Sequence, residues 1–340
     1  MSARESASSG GGAGRAWPGV SVVMPVLNEE QHLRAAVAGV LDQDYPGDLE
    51  LIMAIGPCTD GTHEIAEELA AADARLTVVD NPAGRTPHAL NLAIATARHD
   101  ILVRVDGHGE LGERYIARAV ELLAETGAAN VGGVMEARGR TSFEQAVAFV
   151  YTSRYGLGGA AFHQGDVPAG PADTVFLGVF DKAEVKAVGG FDETMFRAQD
   201  WELNYRLRQS GRLVWFSPEL RVTYRPRSTL KALVKQMYDT GKWRREVVRR
   251  HPDTASVRYL APPAAVVAIG LGTLGVLVGR ATGSRFLQLG AVAPAGYGAF
   301  VAYATSTAPA TLPPEARRWL PAVIAATHLA WGSGFLVGRR

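Results

Sequence analysis

Three apolar stretches near the C-terminus constrain this chain more than anything else in it. Leu260–Gly279, Phe286–Thr305 and Trp319–Gly338 each match the ~20 residues that a helix needs to cross a bilayer. The first two contain no charged residue, and the third has only His328 as an ionisable group. They are rich in Gly and Ala, which suits close helix packing in lipid. Of the 69 charged residues only seven lie in Tyr259–Arg340, so the chain divides into a charged head and an apolar tail. Three spans place the C-terminus on the opposite side of the membrane from the head.

Charge sets the expected orientation. Arg244, Arg245, Arg249, Arg250 and Arg258 crowd the head side of the first span, and Arg317 and Arg318 fall on the same side. The bias of basic residues toward the cytoplasmic face keeps the head there, in a multi-pass inner-membrane protein. Arg280, Arg285, Arg339 and Arg340 fall on the other side and dilute the bias. Residues 1–17 are Ser/Gly-rich with no apolar core, which predicts a disordered leader rather than a signal peptide. The head is mildly acidic, which argues against a nucleic-acid reader. The single Cys58 excludes an internal disulfide and a cysteine-rich metal site.

From Gly19 the head alternates short β-branched runs with helical periods. Strands are expected at Ser21–Val26, Leu49–Ile55, Arg75–Asp80 and Ile101–Asp106, with helices between them and a helix over Tyr115–Glu125. Such repeats imply a parallel sheet with helices on both faces, and function gathers at the C-terminal ends of its strands. That rule singles out Pro25–Glu29, Ile55–Thr62, Asp80–Arg85 and Asp106–His108. Gly156–Pro171 reads as a long glycine-rich loop, followed by a strand over Thr174–Phe180 and a helix over Asp200–Ser210. Thr229–Arg250 has an apolar side (Leu230, Leu233, Val234, Met237, Val248) and a basic one, which predicts a helix lying on an anionic membrane surface.

Several residues have both a plain and a chemical reading. Asp106 and His108, two apart at a strand end, offer oxygen and imidazole to one divalent cation, which suits Mn²⁺ or Mg²⁺; Asp and His are also ordinary turn residues. Asp200 reads either as the cap of the following helix or as a carboxylate general base. Glu202 and Arg206 are one turn apart and spaced to pair. Asn28 and Asp60 each read as turn or cap residues, while Arg85 and Asn91 follow the third strand. His108, His88 and Cys58 match no zinc spacing. Phosphate-loop, dinucleotide and nucleophile-elbow motifs are all missing from the strand ends.

The pieces SVVMPVLNEE, CTDGT, NPAGRTPHALNLAI, the strand ending in DGH, GGFDE and QDWELNYRLRQSG occur in the order of a family 2 glycosyltransferase of the GT-A fold. The resemblance covers about Val20–Arg250 and is strongest to membrane-anchored bacterial enzymes of the succinoglycan-glucosyltransferase type. It implies that Pro25, Val26, Asn28, Glu29, Asp60, Arg85, Asn91 and Asp106 serve the nucleotide sugar. Asp106 and His108 would hold the divalent metal on its diphosphate. Asp200 would deprotonate the acceptor, with Trp201, Glu202, Gln236, Lys242 and Trp243 shaping or closing the acceptor side.

The chain departs from the family pattern in four ways. Ile55 and Gly56 replace its second-strand acids, His108 replaces the second metal-motif Asp, and Gln199 stands where an acid commonly precedes the base. In the late motif Asp239 occupies the usual Gln position and Lys242 replaces Arg, keeping the charge without the bidentate fork.

The resulting expectation has four parts: a leader at 1–17, a GT-A domain at 18–228, a basic interface helix at 229–258 and a membrane region at 259–340. The function it implies is an inverting, metal-dependent hexosyl transfer, glucose from UDP-glucose, to a lipid-linked acceptor. A non-catalytic membrane scaffold with a degraded head is the alternative, favoured by the changes at Ile55, Gly56 and His108. A nucleotidyltransferase fits poorly, because LNEEQH after the first strand is not a basic, glycine-rich loop.

Overall fold

The structure is a computed structural model that describes residues 16–157 and 159–338. The predicted leader, apart from its last two residues, and Arg339 and Arg340 lie outside the described residues. The head is built on one mixed nine-stranded sheet. Its parallel half comprises β1 (Val20–Val26), β2 (Leu49–Ile55), β3 (Leu76–Asp80) and β4 (Ile101–Arg104), in the order β3-β2-β1-β4. β1 and β2 are buried almost along their whole length, as their largely apolar runs require of strands covered on both faces.

The second half makes the sheet the mixed one expected of a GT-A head. It comprises β5 (Glu110–Leu111), β6 (Asn130–Ala137), β7 (Gly170–Pro171), β8 (Phe176–Asp181) and β9 (Val214–Tyr224). β8 runs antiparallel between β4 and β6, and β6 pairs in parallel with β9. Pro218 interrupts β9, and the register with β6 slips between Gly132 and Val134. β7 and a one-turn 3₁₀ helix at Ala161–His163 give structure to the expected Gly156–Pro171 loop.

Helices cover both faces. α1 (Leu33–Leu41), α2 (Thr62–Ala72) and α4 (Tyr115–Thr126) pack on one face through Leu33, Val37, Ala66, Ile116 and Val120. α3 (Thr86–Thr96), α6 (Lys182–Ala187) and α7 (Gln199–Gln209) pack on the other through Leu90, Ile94, Val185, Leu203 and Leu207. α5 (Ser142–Thr152) begins with a capping box, in which Thr141 accepts from the Glu144 amide and Glu144 accepts from Thr141.

α8 (Leu230–Arg250) divides its apolar side between protein and surface. Leu233 and Met237 are buried in a cluster with α5 and the last helix, and Val247 packs with Met195, Trp201 and Trp243, while Leu230 and Val234 stay exposed. The tail comprises α9 (Val257–Thr282), α10 (Arg285–Gln288), α11 (Val292–Ser306) and α12 (Pro314–Val337). Three segments, Val257–Thr282, Arg285–Ser306 and Pro314–Val337, are long and apolar enough to cross a membrane. Leu271, Leu274, Leu277, Phe286 and Leu289 are each more than half exposed, an apolar surface that water would penalise and lipid would not.

α8 and α12 touch at backbone distance. A Cβ on Gly241 would lie 2.0 Å from the Trp331 carbonyl oxygen, and one on Gly334 would lie 2.0 Å from that of Tyr238. Gly241→Ala is therefore expected to push the helices apart and destabilise the head–tail joint by about 1–3 kcal/mol. A thermal melt of the detergent-solubilised protein checks this; an unchanged midpoint would show that the two helices do not pack this closely.

Candidate active site

Arg104 organises the C-terminal edge of the sheet. It is the last residue of β4, paired in register with Val23 on the central β1, and is only 5% exposed. Its Nη2 donates to Asp106 Oδ1 at 3.0 Å and its Nη1 donates to Asp200 Oδ1. One buried guanidinium thus joins the acid that follows β4 to the acid at the start of α7. Sequence reasoning recorded Arg104 only as part of a strand end and assigned it no role.

Asp200 is not the helix cap. That position falls to Ala198, held at φ 59°, and Asp200 is the second helical residue, in the first turn. An acid there lies at the positive end of the helix dipole. The second carboxylate oxygen of Asp200 has no hydrogen-bond partner among the described residues, and the side chain is about one third exposed. It is therefore oriented by one oxygen and open at the other.

His108 sits on the same edge. Its Nδ1 lies 2.7 Å from Glu29 Oε1, and the imidazole is about half exposed. That hydrogen bond raises the His108 pKa above the usual imidazole value; burial and the charge of Arg227 oppose the rise, and Asp106 adds to it. The Glu29 contact fixes the ring and leaves Nε2 as the nitrogen able to take a ligand. Among the described residues no group of three His, Cys, Asp or Glu side chains converges on one point.

The first two loops are stitched together by residues expected at the nucleotide. Asn28 adopts φ 55° and caps no helix; its Oδ1 accepts from the Thr59 amide at 2.8 Å. Asp60 accepts from the Thr62 amide and hydroxyl and from the Glu30 amide, contacts that lower its pKa. The Glu29 amide donates to Thr62 Oγ1 at 2.8 Å. Pro25 and Val26 close β1 beside Ala54 and Ile55, with Val26 buried.

The GGFDE loop is fastened in the same way. Asn91 Nδ2 donates to the Phe191 carbonyl and Asn91 Oδ1 accepts from the Phe191 amide, both at 2.9 Å. Glu202, 3% exposed, takes a two-pronged pair from Arg206 at 2.7 Å on each oxygen, and Arg206 also donates to the Gly190 carbonyl. In this structure Asn91 and Glu202 fix the loop between α6 and α7, and thereby the start of α7 where Asp200 sits.

An aromatic wall runs from this edge to the tail. Arg85, the cap residue of α3, stacks on Phe196 at 4.5 Å, and Phe196 meets Trp243 at 5.7 Å. Trp201 and Trp243 are both nearly buried in this wall. Gln236 lies between Tyr151 and Tyr224, accepting from the former at 3.0 Å and donating to the latter at 2.9 Å. Lys242 rests over Tyr238 at 5.7 Å.

Comparison with known proteins decides what this edge belongs to. The Glycosyl transferase family 2 model matches residues 21–163. The chain is 33% identical over 320 residues to the Succinoglycan biosynthesis protein ExoA of Rhizobium meliloti (strain 1021), covering 92% of this chain and 93% of that one. This chain is a family 2 glycosyltransferase. A dolichyl N-acetyl-alpha-D-glucosaminyl phosphate 3-beta-D-2,3-diacetamido-2,3-dideoxy-beta-D-glucuronosyltransferase of Methanococcus voltae is 23% identical over 240 residues, 68% of this chain and 74% of that protein.

The glycosyltransferase shares its fold with a solved mannosyltransferase of Pyrobaculum calidifontis, PcManGT, whose structure holds GDP-Man and Mn²⁺. The TM-score is 0.55 at 19% identity, covering 92% of this chain and 86% of that one. The head is thus of the GT-A type, and the nucleotidyltransferase reading is dropped. The glycosyltransferase's Arg104 was missed because a charged residue closing a β-branched strand gives no sign of what it reaches. An arginine two residues before a motif acid, in an otherwise apolar strand, is the signal that was there to read.

Proposed function

We propose that this glycosyltransferase moves a hexose, glucose from UDP-glucose being the first candidate, onto a lipid-linked glycan or polyprenyl acceptor at the membrane surface. The observation that carries the reading is the Asp106–Arg104–Asp200 bridge, which ties a donor-side acid to a candidate base through one rigid guanidinium. Polysaccharide assembly is suggested by the succinoglycan relative, and the apolar tail supports a membrane-borne substrate. The head is placed on the cytoplasmic side, where nucleotide sugars are made, in agreement with the basic residues around α8.

The residues present fit a divalent cation. Asp106 offers a carboxylate and His108 a ring nitrogen, and a hard cation held by one or two protein groups completes its shell with substrate phosphate and water. When bound, Mn²⁺ or Mg²⁺ would offset the charge that builds on the departing nucleoside diphosphate. Glu29 holds the His108 ring in place for that contact. Arg104 orients Asp200 by Oδ1, and Asp200 Oδ2 takes the proton of the acceptor hydroxyl as its oxygen attacks the anomeric carbon. Attack from the face opposite the diphosphate inverts that carbon. Arg85 and Phe196 wall the nucleotide end, with Pro25, Val26 and the Asn28–Asp60 stitch forming its floor.

His108→Ala tests the donor side. Calorimetric titration of UDP-, GDP- and dTDP-sugars into the detergent-solubilised protein, across a Mn²⁺ series, is expected to show that the variant needs about tenfold more metal for the same affinity. An unaltered metal dependence would remove His108 from the site. No binding of any nucleotide sugar by the folded wild type would overturn the reading.

A further inference from the structure

Arg244 is a cation for which the site described above has no use. It lies on α8, directly after Trp243, half-buried as a residue with its Nη1 out of contact with solvent. The carbon at its centre lies 4.9 Å from the Trp201 ring and 4.1 Å from the Tyr259 ring. Its Nη1 is a buried donor with no hydrogen-bond partner among the described residues, and Arg244 forms no ion pair there. Asp173, an acid whose charge reaches it, is already committed to Arg208 at 3.3 Å. Burial lowers the Arg244 pKa, as it does for any cation removed from water without a counter-ion.

A second cation shares the same ring. Arg258 lies 4.6 Å from the Tyr259 centroid, is exposed, and forms no ion pair among the described residues. Two like charges around one aromatic ring repel each other, and an anion between or beside them removes both that repulsion and the unmet donor. Position identifies the anion. Arg258 and Tyr259 occupy the first turn of α9, the head-side end of the first candidate span. Trp201 is the neighbour of the candidate base Asp200. An anion here would lie at the head-side end of that span, on the ring that follows Asp200 in the chain.

We propose that Arg244, with Arg258 across the Tyr259 ring, holds the phosphate of a membrane-borne isoprenoid acceptor. This rests on the glycosyltransfer reading above and assigns the acceptor's anchoring site within it. Guanidinium suits the task because its planar fork matches phosphate oxygens two at a time.

The test uses the full chain in dodecyl maltoside micelles and farnesyl diphosphate as the probe, with nucleotide-sugar binding measured in parallel. Wild type is expected to bind farnesyl diphosphate. Arg244→Gln should weaken it about tenfold or more and Arg258→Gln about three- to tenfold, while Arg244→Lys recovers part of the loss. Nucleotide-sugar affinity should stay the same in all three. Arg258 is exposed, so its variant carries the test even if Arg244→Gln does not fold.

Equal probe binding by wild type and the variants overturns the proposal, as does no binding by wild type. Competition by inorganic diphosphate as strong as that of farnesyl diphosphate would mean a soluble anion and contradict it. Equal competition by phosphatidylglycerol in the micelle would mean a phospholipid headgroup and contradict it too. Failure of wild type to bind any nucleotide sugar strikes the glycosyltransfer reading instead, and reads out separately.

Discussion

Asp200→Asn lowers turnover by ~10²–10⁴ while leaving nucleotide-sugar affinity close to that of the wild type. The side chains are nearly the same size, and the asparagine carbonyl oxygen can still accept from Arg104 Nη1, so the bridge survives. What is lost is the second oxygen's capacity to take a proton. Initial rates at saturating donor, with calorimetric donor binding alongside, separate the two. Turnover within a few-fold of wild type would remove Asp200 as the base.

Arg104→Met is expected to harm both stability and chemistry. The guanidinium is 6% exposed, whereas the carboxylates it bridges are 29% and 36% exposed. Removing it leaves two acids facing each other with partial access to water, which sets the cost at about 1–3 kcal/mol rather than the larger figure for a fully buried pair. The melting midpoint should fall by several degrees, and turnover should fall further than lost stability explains, because Asp200 is no longer aimed. Arg104→Lys separates charge from geometry: it should recover stability better than turnover, since one ammonium cannot span both carboxylates as the fork does. If Arg104→Met melts and turns over like wild type, the bridge has no role.

The parallel half of the sheet was legible in the sequence because its central strands β1 and β2 are buried and so read as largely apolar runs. β2 has the boundaries that its residues predict. Of the other half only β8 was legible, as the strand expected over Thr174–Phe180; β6 and β9 were not, for local reasons. β6 carries Gly132 and Gly133 at its centre, where a Cβ on Gly133 would lie 1.8 Å from the Leu220 carbonyl, and β9 is broken by Pro218. α5 announced itself only through Thr141 and Glu144, a pattern visible once sought.

At the candidate site, the sequence singled out the strand-end loops that the structure joins through Arg104, Glu29 and Asn28. It did not show how their polar atoms are spent. Asn28, Asp60, Asn91 and Glu202 turn inward to fasten loops, and Arg104 and Arg244 act across distances that no local spacing encodes. α8 shows the same limit: an amphipathic pattern reports that one face is buried, not whether protein or lipid buries it.

The measurement closest to the central claim is transfer itself. Wild type and Asp200→Asn, purified in detergent, are incubated with Mn²⁺, bacterial membrane lipid extract and radiolabelled UDP-glucose, with GDP- and dTDP-sugars in parallel. Label should move into the lipid phase from one nucleotide sugar with wild type, and at most about one-hundredth as fast with the variant. Equal labelling by both proteins, or donor binding with no label moved from any of them, would contradict the account.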